Sequence, residues 1–243
     1  MKISFEGLTV DYSDFYLSVE KSEPAPILIT VPHDGLLKSS LLGLIPERQN
    51  GQRLRDQNVW PLAKDILLNS PASGLRGMMP RILIDYNRPP ERAFEKDDLK
   101  LPYQKYHQKI TELLETAVDK HSRENCLLID LHGFSSQPSY APAEGYDLIL
   151  GTNNRTTIKF GNIDQELAGF MESLGYRIFL PREKPISQGA DKFNGGFTTY
   201  HYSAHFGINT IQIEVARRFR IKESADEGQK MALDLAEFFS QKF

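Results

Sequence analysis

The 243-residue chain has a single cysteine, Cys126, so it can form no disulfide within itself. That residue lies inside the apolar run CLLIDL, which marks it as a core side chain rather than an exposed nucleophile. No apolar run approaches the roughly 20 residues that span a bilayer. The start, MKISFEGLTVDYSDFY, has no basic segment leading into an apolar one, so a cytoplasmic protein is expected. A large excess of charge of one sign is also missing. Against 32 acidic residues stand 29 basic ones, a formal charge of −3, too weak a field to argue for nucleic acid or an anionic membrane surface as partner. A small-molecule partner is the expectation that remains. Repeats, low-complexity stretches and long Pro/Gly/Ser linkers are missing as well, so residues 1–243 read as a single domain. With 40% apolar side chains it can bury a large core.

What is present is alternation of strand-like and helix-like segments. Two β-rich segments, 2–10 and 15–20, lead to ILITV (27–31), a continuous β-branched run suited to a strand covered on both faces. A helix over 53–69 and a strand RILIDY (81–86) follow. Over 102–121, Tyr103, Tyr106, Ile110, Leu113, Leu114, Ala117 and Val118 recur at three- and four-residue steps, which predicts a helix. Next come strands CLLIDL (126–131) and YDLIL (146–150). A helix then opens on a capping box of Asn162 and Gln165 and closes at Gly175. YRIFL reads as a strand, 181–207 as a long loop, NTIQIEV (209–215) as a strand and 223–240 as an amphipathic helix. The sum is an α/β fold with a mainly parallel, mixed sheet flanked by helices.

Ligands of such sheets collect at the carboxyl ends of the strands. There the chain places His33 and Asp34 after ILITV, Asn87 and Arg88 after RILIDY, His132 after CLLIDL, and Glu214 near the end of NTIQIEV. Two histidines and a carboxylate are the donors of a hydrolytic zinc site, with Asp34, Glu47 and Asp56 as acids to choose from. Asp130, two residues before His132, shares its strand face and could accept the second imidazole N–H. Each feature also has a plainer explanation. A strand-end histidine is commonly a structural hydrogen-bonding group, and Asn87-Arg88 before Pro89-Pro90 is ordinary turn composition. Gln212 and Glu214 alternate with apolar neighbours as on a half-exposed edge strand, and His201 and His205 suit packing or surface.

The ordered set ITVPHDG, RDQNVWPLAKDI, RILIDYNRPP, LLIDLHGF, GGFTTYHY and TIQIEV resembles the N-formylglutamate amidohydrolase family from about residue 27 to 216. That family is similar in fold to zinc carboxypeptidases and aspartoacylase. The resemblance implies one zinc ion held by His33, Asp56 and His132, with Arg81, Asn87, Arg88 and His201 binding substrate. It implies Glu214 as general base and then general acid, and Arg88 or Arg81 also facing the developing oxyanion. Two positions depart from the pattern. Asp34 stands where the family has serine, and Leu36 where the carboxypeptidases carry a ligand acid. The implied reaction is hydrolysis of N-formyl-L-glutamate to formate and glutamate. The nearer alternative is another N-acyl amino acid or a γ-glutamyl peptide, and the farther one a metal-free binding protein.

Overall fold

The computed structural model describes residues 2–5, 7–36, 47–49, 51–139, 141–180 and 193–243. Strands β1 (Lys2–Phe5), β2 (Leu8–Tyr12) and β3 (Tyr16–Lys21) form an antiparallel meander that leads to β4 (Ile27–Val31). Every residue of β4 is buried, as its unbroken apolar run requires. After β4 come helix α1 (Val59–Leu68), β5 (Ala72–Gly77), the short turn of helix α2 (Pro90–Ala93) and α3 (Lys100–His121). The chain continues through β6 (Leu127–Phe134), β7 (Leu148–Gly151), α4 (Ile163–Ser173) and β8 (Ile178–Phe179). It ends with α5 (Phe197–Phe206), β9 (Asn209–Ala216) and α6 (Ala225–Lys242).

Among the described residues the strands make one nine-stranded sheet in the order β1-β2-β3-β5-β4-β6-β9-β7-β8. Its centre, β5-β4-β6-β9, is parallel, and the antiparallel β3 and β7 adjoin it on either side. Alternate residues of β4 supply two different cores, as the two-residue period of a strand demands. Ile27, Ile29 and Val31 pack with Ile66 of α1, Leu167 of α4 and Phe239 of α6, whereas Leu28 packs with Tyr106 and Ile110 of α3 and Tyr202 of α5. Cys126 is buried in this second core. Among the described residues no helix is long and apolar enough to cross a membrane.

Five expectations need correction. RILIDY is no strand: the Leu83 and Ile84 amides donate to Pro80 O and the Arg88 amide to Asp85 O, forming turns. Its apolar residues reflect burial of Leu83, Ile84 and Tyr86 in the second core, not a place in the ladder. The strand is instead Ala72–Gly77, whose glycines disguise it. A Cβ on Gly74 would stand 2.4 Å from a Leu67 methyl, and one on Gly77 would stand 2.7 Å from the Tyr86 ring. Close packing of helix and turn on this strand therefore excludes larger residues.

The helix expected over 53–69 starts only at Val59, because Asn58 adopts a left-handed conformation (φ 61°). The long loop contains α5, whose aromatic residues and threonines are weak helix formers, and Gly207 (φ 65°) closes it. The rest of that loop, 181–192, lies outside the described residues. At the start of α4 the Asn162 side chain accepts from Arg155 (2.9 Å) rather than capping the helix. β9 is no edge strand either: it lies between β6 and β7 and is buried along its length.

Candidate active site

Parallel pairing of β4 and β6 sets Thr30 beside Asp130, so the residues just beyond in each strand meet over the same end of the sheet. His33 and His132 are those residues, with Nδ1 atoms 3.1 Å apart and ring centroids at 4.7 Å. Asp56 is held against them by its backbone amide, which donates to His33 O (2.9 Å). Its Oδ2 lies 3.1 Å from His132 Nδ1 and 3.4 Å from His33 Nδ1. The outer nitrogens face carboxylates: His33 Nε2 is 2.6 Å from Asp85 Oδ1, and His132 Nε2 is 2.7 Å from Asp130 Oδ2. Thr30 in turn donates to Asp130 Oδ1 (2.7 Å).

A carboxylate can only accept, so each Nε2 must donate, and in the neutral imidazole each Nδ1 presents a lone pair. Two nitrogen lone pairs and an anionic oxygen, all buried and within 3.4 Å, repel one another unless a proton or metal cation lies among them. Bonds of about 2.0–2.1 Å to a tetrahedral zinc place donors roughly 3.3–3.4 Å apart. The observed separations of 3.1–3.4 Å agree to a few tenths. His33, Asp56 and His132 therefore fit a divalent ion, and among the described residues they form the one His/Cys/Asp/Glu cluster with ligand-like spacing. The other two acids are occupied elsewhere. Asp34 Oδ2 accepts the Trp60 amide (2.9 Å) at the start of α1, and exposed Glu47 pairs with Arg53 (3.4 Å).

Burial alone would raise the Asp56 pKa, but hydrogen bonds from His132 and His33 outweigh it and hold the carboxyl well below its usual range. Burial likewise opposes charge on His132, yet Asp130 and Asp56 together push its pKa well above the ordinary value. Glu214 sits on β9 directly opposite His132. Burial pushes its carboxyl up to about 7, with Asp56 adding to the rise and His132 opposing it. Gln212 Nε2 donates to Glu214 Oε1 (2.9 Å) and fixes its direction.

A cleft of about 300 Å³ opens at these groups, lined by Asp56, His132 and Glu214 together with Arg81, Arg88, Phe134 and Phe193. Arg88 keeps a side chain 43% exposed, whereas that of Arg81 is 12% exposed. Asn87 is buried beneath, its Nδ2 3.2 Å from His132 Nε2 and its Oδ1 accepting the Thr198 amide (2.8 Å). The structure thus gathers His33, Asp56, His132, Glu214, Arg81, Arg88 and Asn87. His201 is placed apart, on the exposed face of α5, its ring stacked on Phe197 and parallel to His205.

Sequence reasoning missed Asp85, which orients His33 as Asp130 orients His132. A signal was present: both acids end the same tripeptide, Leu83-Ile84-Asp85 and Leu128-Ile129-Asp130. An acid inside an apolar run is buried at a cost that only a partner offsets. Gly196 is a second omission. A Cβ there would fall 2.1 Å from Asn87 Nδ2, so Gly196→Ala must displace the amide packed beside His132. Such overpacking costs about 1–3 kcal/mol. We expect a stability loss of that size by urea unfolding, together with lower kcat/KM.

A family model described as N-formylglutamate amidohydrolase matches residues 93–220, a little over half of the chain. No curated protein matches the chain by sequence. Solved structures resemble it in fold. The N-formylglutamate amidohydrolase of Ralstonia eutropha JMP134 superposes with a TM-score of 0.67 at 16% identity, covering 90% of this chain and 93% of that one. The gene product Atu2144 of Agrobacterium tumefaciens gives 0.63 at 13% identity, covering 95% and 93%. A succinylglutamate desuccinalase of Vibrio parahaemolyticus gives 0.55 at 15% identity, covering 100% and 77%. The matched segment carries His132 and Glu214, the two residues that β6 and β9 set face to face in the cleft, and on this match the chain belongs to the N-formylglutamate amidohydrolase family.

Proposed function

We propose that the protein is a zinc-dependent amidohydrolase that cleaves the amide of an N-acyl amino acid, N-formyl-L-glutamate foremost. The observation that carries this reading is the triangle of His33 Nδ1, His132 Nδ1 and Asp56 Oδ2 with Glu214 beside it. His33, Asp56 and His132 would hold a zinc ion there, which would supply Lewis acidity to polarise a carbonyl and lower the pKa of a water towards ~7. Glu214 accepts a proton from the attacking water and returns it to the amide nitrogen as the C–N bond breaks. Carboxylate and amine products follow, formate and glutamate in the leading case. Arg88, the exposed cation of the cleft wall, suits the substrate α-carboxylate through two parallel N–H donors.

The test is release of free amine from a panel of N-formyl-, N-acetyl- and N-succinyl-glutamate and γ-glutamyl peptides by zinc-loaded protein. Fastest turnover of N-formyl-L-glutamate supports the leading substrate, and a preference elsewhere in the panel moves it. Inertness towards the whole panel sinks the catalytic reading and favours a binding protein. Arg88→Lys keeps the charge but loses the paired geometry. Loss of one charge-assisted hydrogen bond, worth ~1.5–3 kcal/mol, should lower kcat/KM about 10- to 100-fold. Unchanged kinetics would remove Arg88 from substrate binding.

A further inference from the structure

We infer that Arg81 is a positioning residue that restricts Asp56 to one oxygen at the metal centre, and that it does not bind the substrate carboxylate. The inference rests on the metal reading above and deepens it. Of the two Asp56 oxygens, Oδ2 faces both histidine Nδ1 atoms, while Oδ1 accepts Arg81 Nη1 at 3.2 Å. The same guanidinium reaches the carboxylate behind the other ligand: Arg81 Nε is 3.6 Å from Asp85 Oδ2, and Asp85 Oδ1 holds His33. One planar cation thus bridges a ligand and the orienting partner of a second ligand.

Its place is enforced from the backbone. Buried Arg48 donates to Arg81 O (3.0 Å), and Arg81 Nη1 also reaches Leu54 O (3.4 Å). Three arginines, Arg48, Arg81 and Arg88, approach Asp85 Oδ2 at 3.4, 3.6 and 3.7 Å, but their exposures differ. Arg48 is 3% exposed, Arg81 12% and Arg88 43%. Arg88 is therefore the cation that can turn to a solute while Arg48 and Arg81 stay on the buried Asp85 carboxylate.

The chemical consequence concerns the open coordination position. A carboxylate with both oxygens available can chelate a divalent ion, raising the coordination number and filling the place that water and substrate need. Arg81 occupies Oδ1 and so holds Asp56 to single-oxygen ligation. Removing such an outer partner typically costs 10- to 100-fold in metal affinity or activity.

The test compares Arg81→Gln and Arg81→Lys with Arg88→Lys in two readouts that need no substrate. Zn²⁺ affinity is measured by competition with a chromophoric chelator, and the visible band of the Co²⁺-loaded protein reports coordination number, being strong for four ligands and weak for five. Arg81→Gln should weaken Zn²⁺ binding 10- to 100-fold and weaken the cobalt band. Arg81→Lys, which keeps charge and bulk but cannot span two carboxylates, should do the same to a smaller degree and serves if the glutamine variant fails to fold. Arg88→Lys should match wild type in both. In kinetics the Arg81 variants should lose kcat with little change in KM, the reverse of Arg88→Lys.

Wild-type metal affinity and cobalt spectrum in both Arg81 variants would overturn the inference, and a raised KM alone would reassign Arg81 to substrate. If the metal effects appear while wild-type protein hydrolyses no N-acyl amino acid, the catalytic reading falls and the positioning role stands.

Discussion

Glu214→Gln should lower turnover of an N-acyl amino acid by at least the roughly 10²- to 10⁴-fold attributed to a general acid–base group, while zinc binding should be kept. The expectation follows from position. Glu214 faces His132 across the β6–β9 ladder in the cleft, yet lies outside the cluster with ligand spacing. Glutamine is nearly isosteric, and its carbonyl oxygen can still accept from Gln212, so the strand and the three donors stay in place. What it loses is the ability to take a proton.

The direction of the pH dependence follows as well. Burial raises the Glu214 carboxyl to about 7, and the base must be ionised to act, so activity is lost as pH falls through the group's titration. A divalent ion nearby stabilises the carboxylate and moves that acid limb to lower pH. The limb seen in kcat against pH for wild type should be missing from the residual activity of the variant. Were Glu214 only a strand residue, turnover would remain within a few-fold of wild type. Loss of zinc along with activity would instead make it a ligand.

The second large effect concerns the metal itself. Purified protein should carry about one equivalent of zinc, and His33→Ala or His132→Ala should abolish most of it, because each removes one of three protein donors. The same substitutions strip Asp85 or Asp130 of its imidazole partner and leave a buried carboxylate. Breaking a buried pair costs about 3–5 kcal/mol, so a lowered melting temperature should accompany the metal loss. Asp56→Asn should also lose zinc. Asp34→Asn should keep it, since Asp34 serves the Trp60 amide at the head of α1. Elemental analysis decides, and full occupancy in the double histidine variant would end the metal reading.

Most of the sheet was legible from its central strands: ILITV and CLLIDL, buried on both faces, read as largely apolar runs and became β4 and β6, while NTIQIEV, read by its alternation, became β9. Where close approach mattered more than side-chain bulk, pattern reading failed. Gly74 and Gly77 make β5 look like a loop, while the turn 81–86 looks like a strand because Leu83, Ile84 and Tyr86 fill a core from outside the ladder. The helix α5 was hidden for a related reason, its aromatic residues being chosen for packing rather than for helix propensity. His33 and His132 stood out as polar residues directly after apolar runs. The choice of Asp56 over Asp34 was not visible from spacing, since it depends on a backbone bond to His33 O and on where Asp34 turns. The pairing of Asp85 with His33 and the contact of Arg81 with Asp56 are tertiary features with faint local signals.

The parallel centre of the sheet also governs how the protein comes to exist. Thr30 and Asp130, hydrogen-bonded behind the two histidines, are 100 residues apart in the chain. Closing a loop of that length takes a conformational-entropy penalty before any ladder bond forms to offset it, and such non-local parallel pairing makes folding slow. Local contacts alone cannot hold His33 beside His132, because the strands that carry them are joined by this long-range pairing. Capture of a metal by these donors would therefore be subordinate to folding, because the two imidazoles are isolated until β4 and β6 have paired.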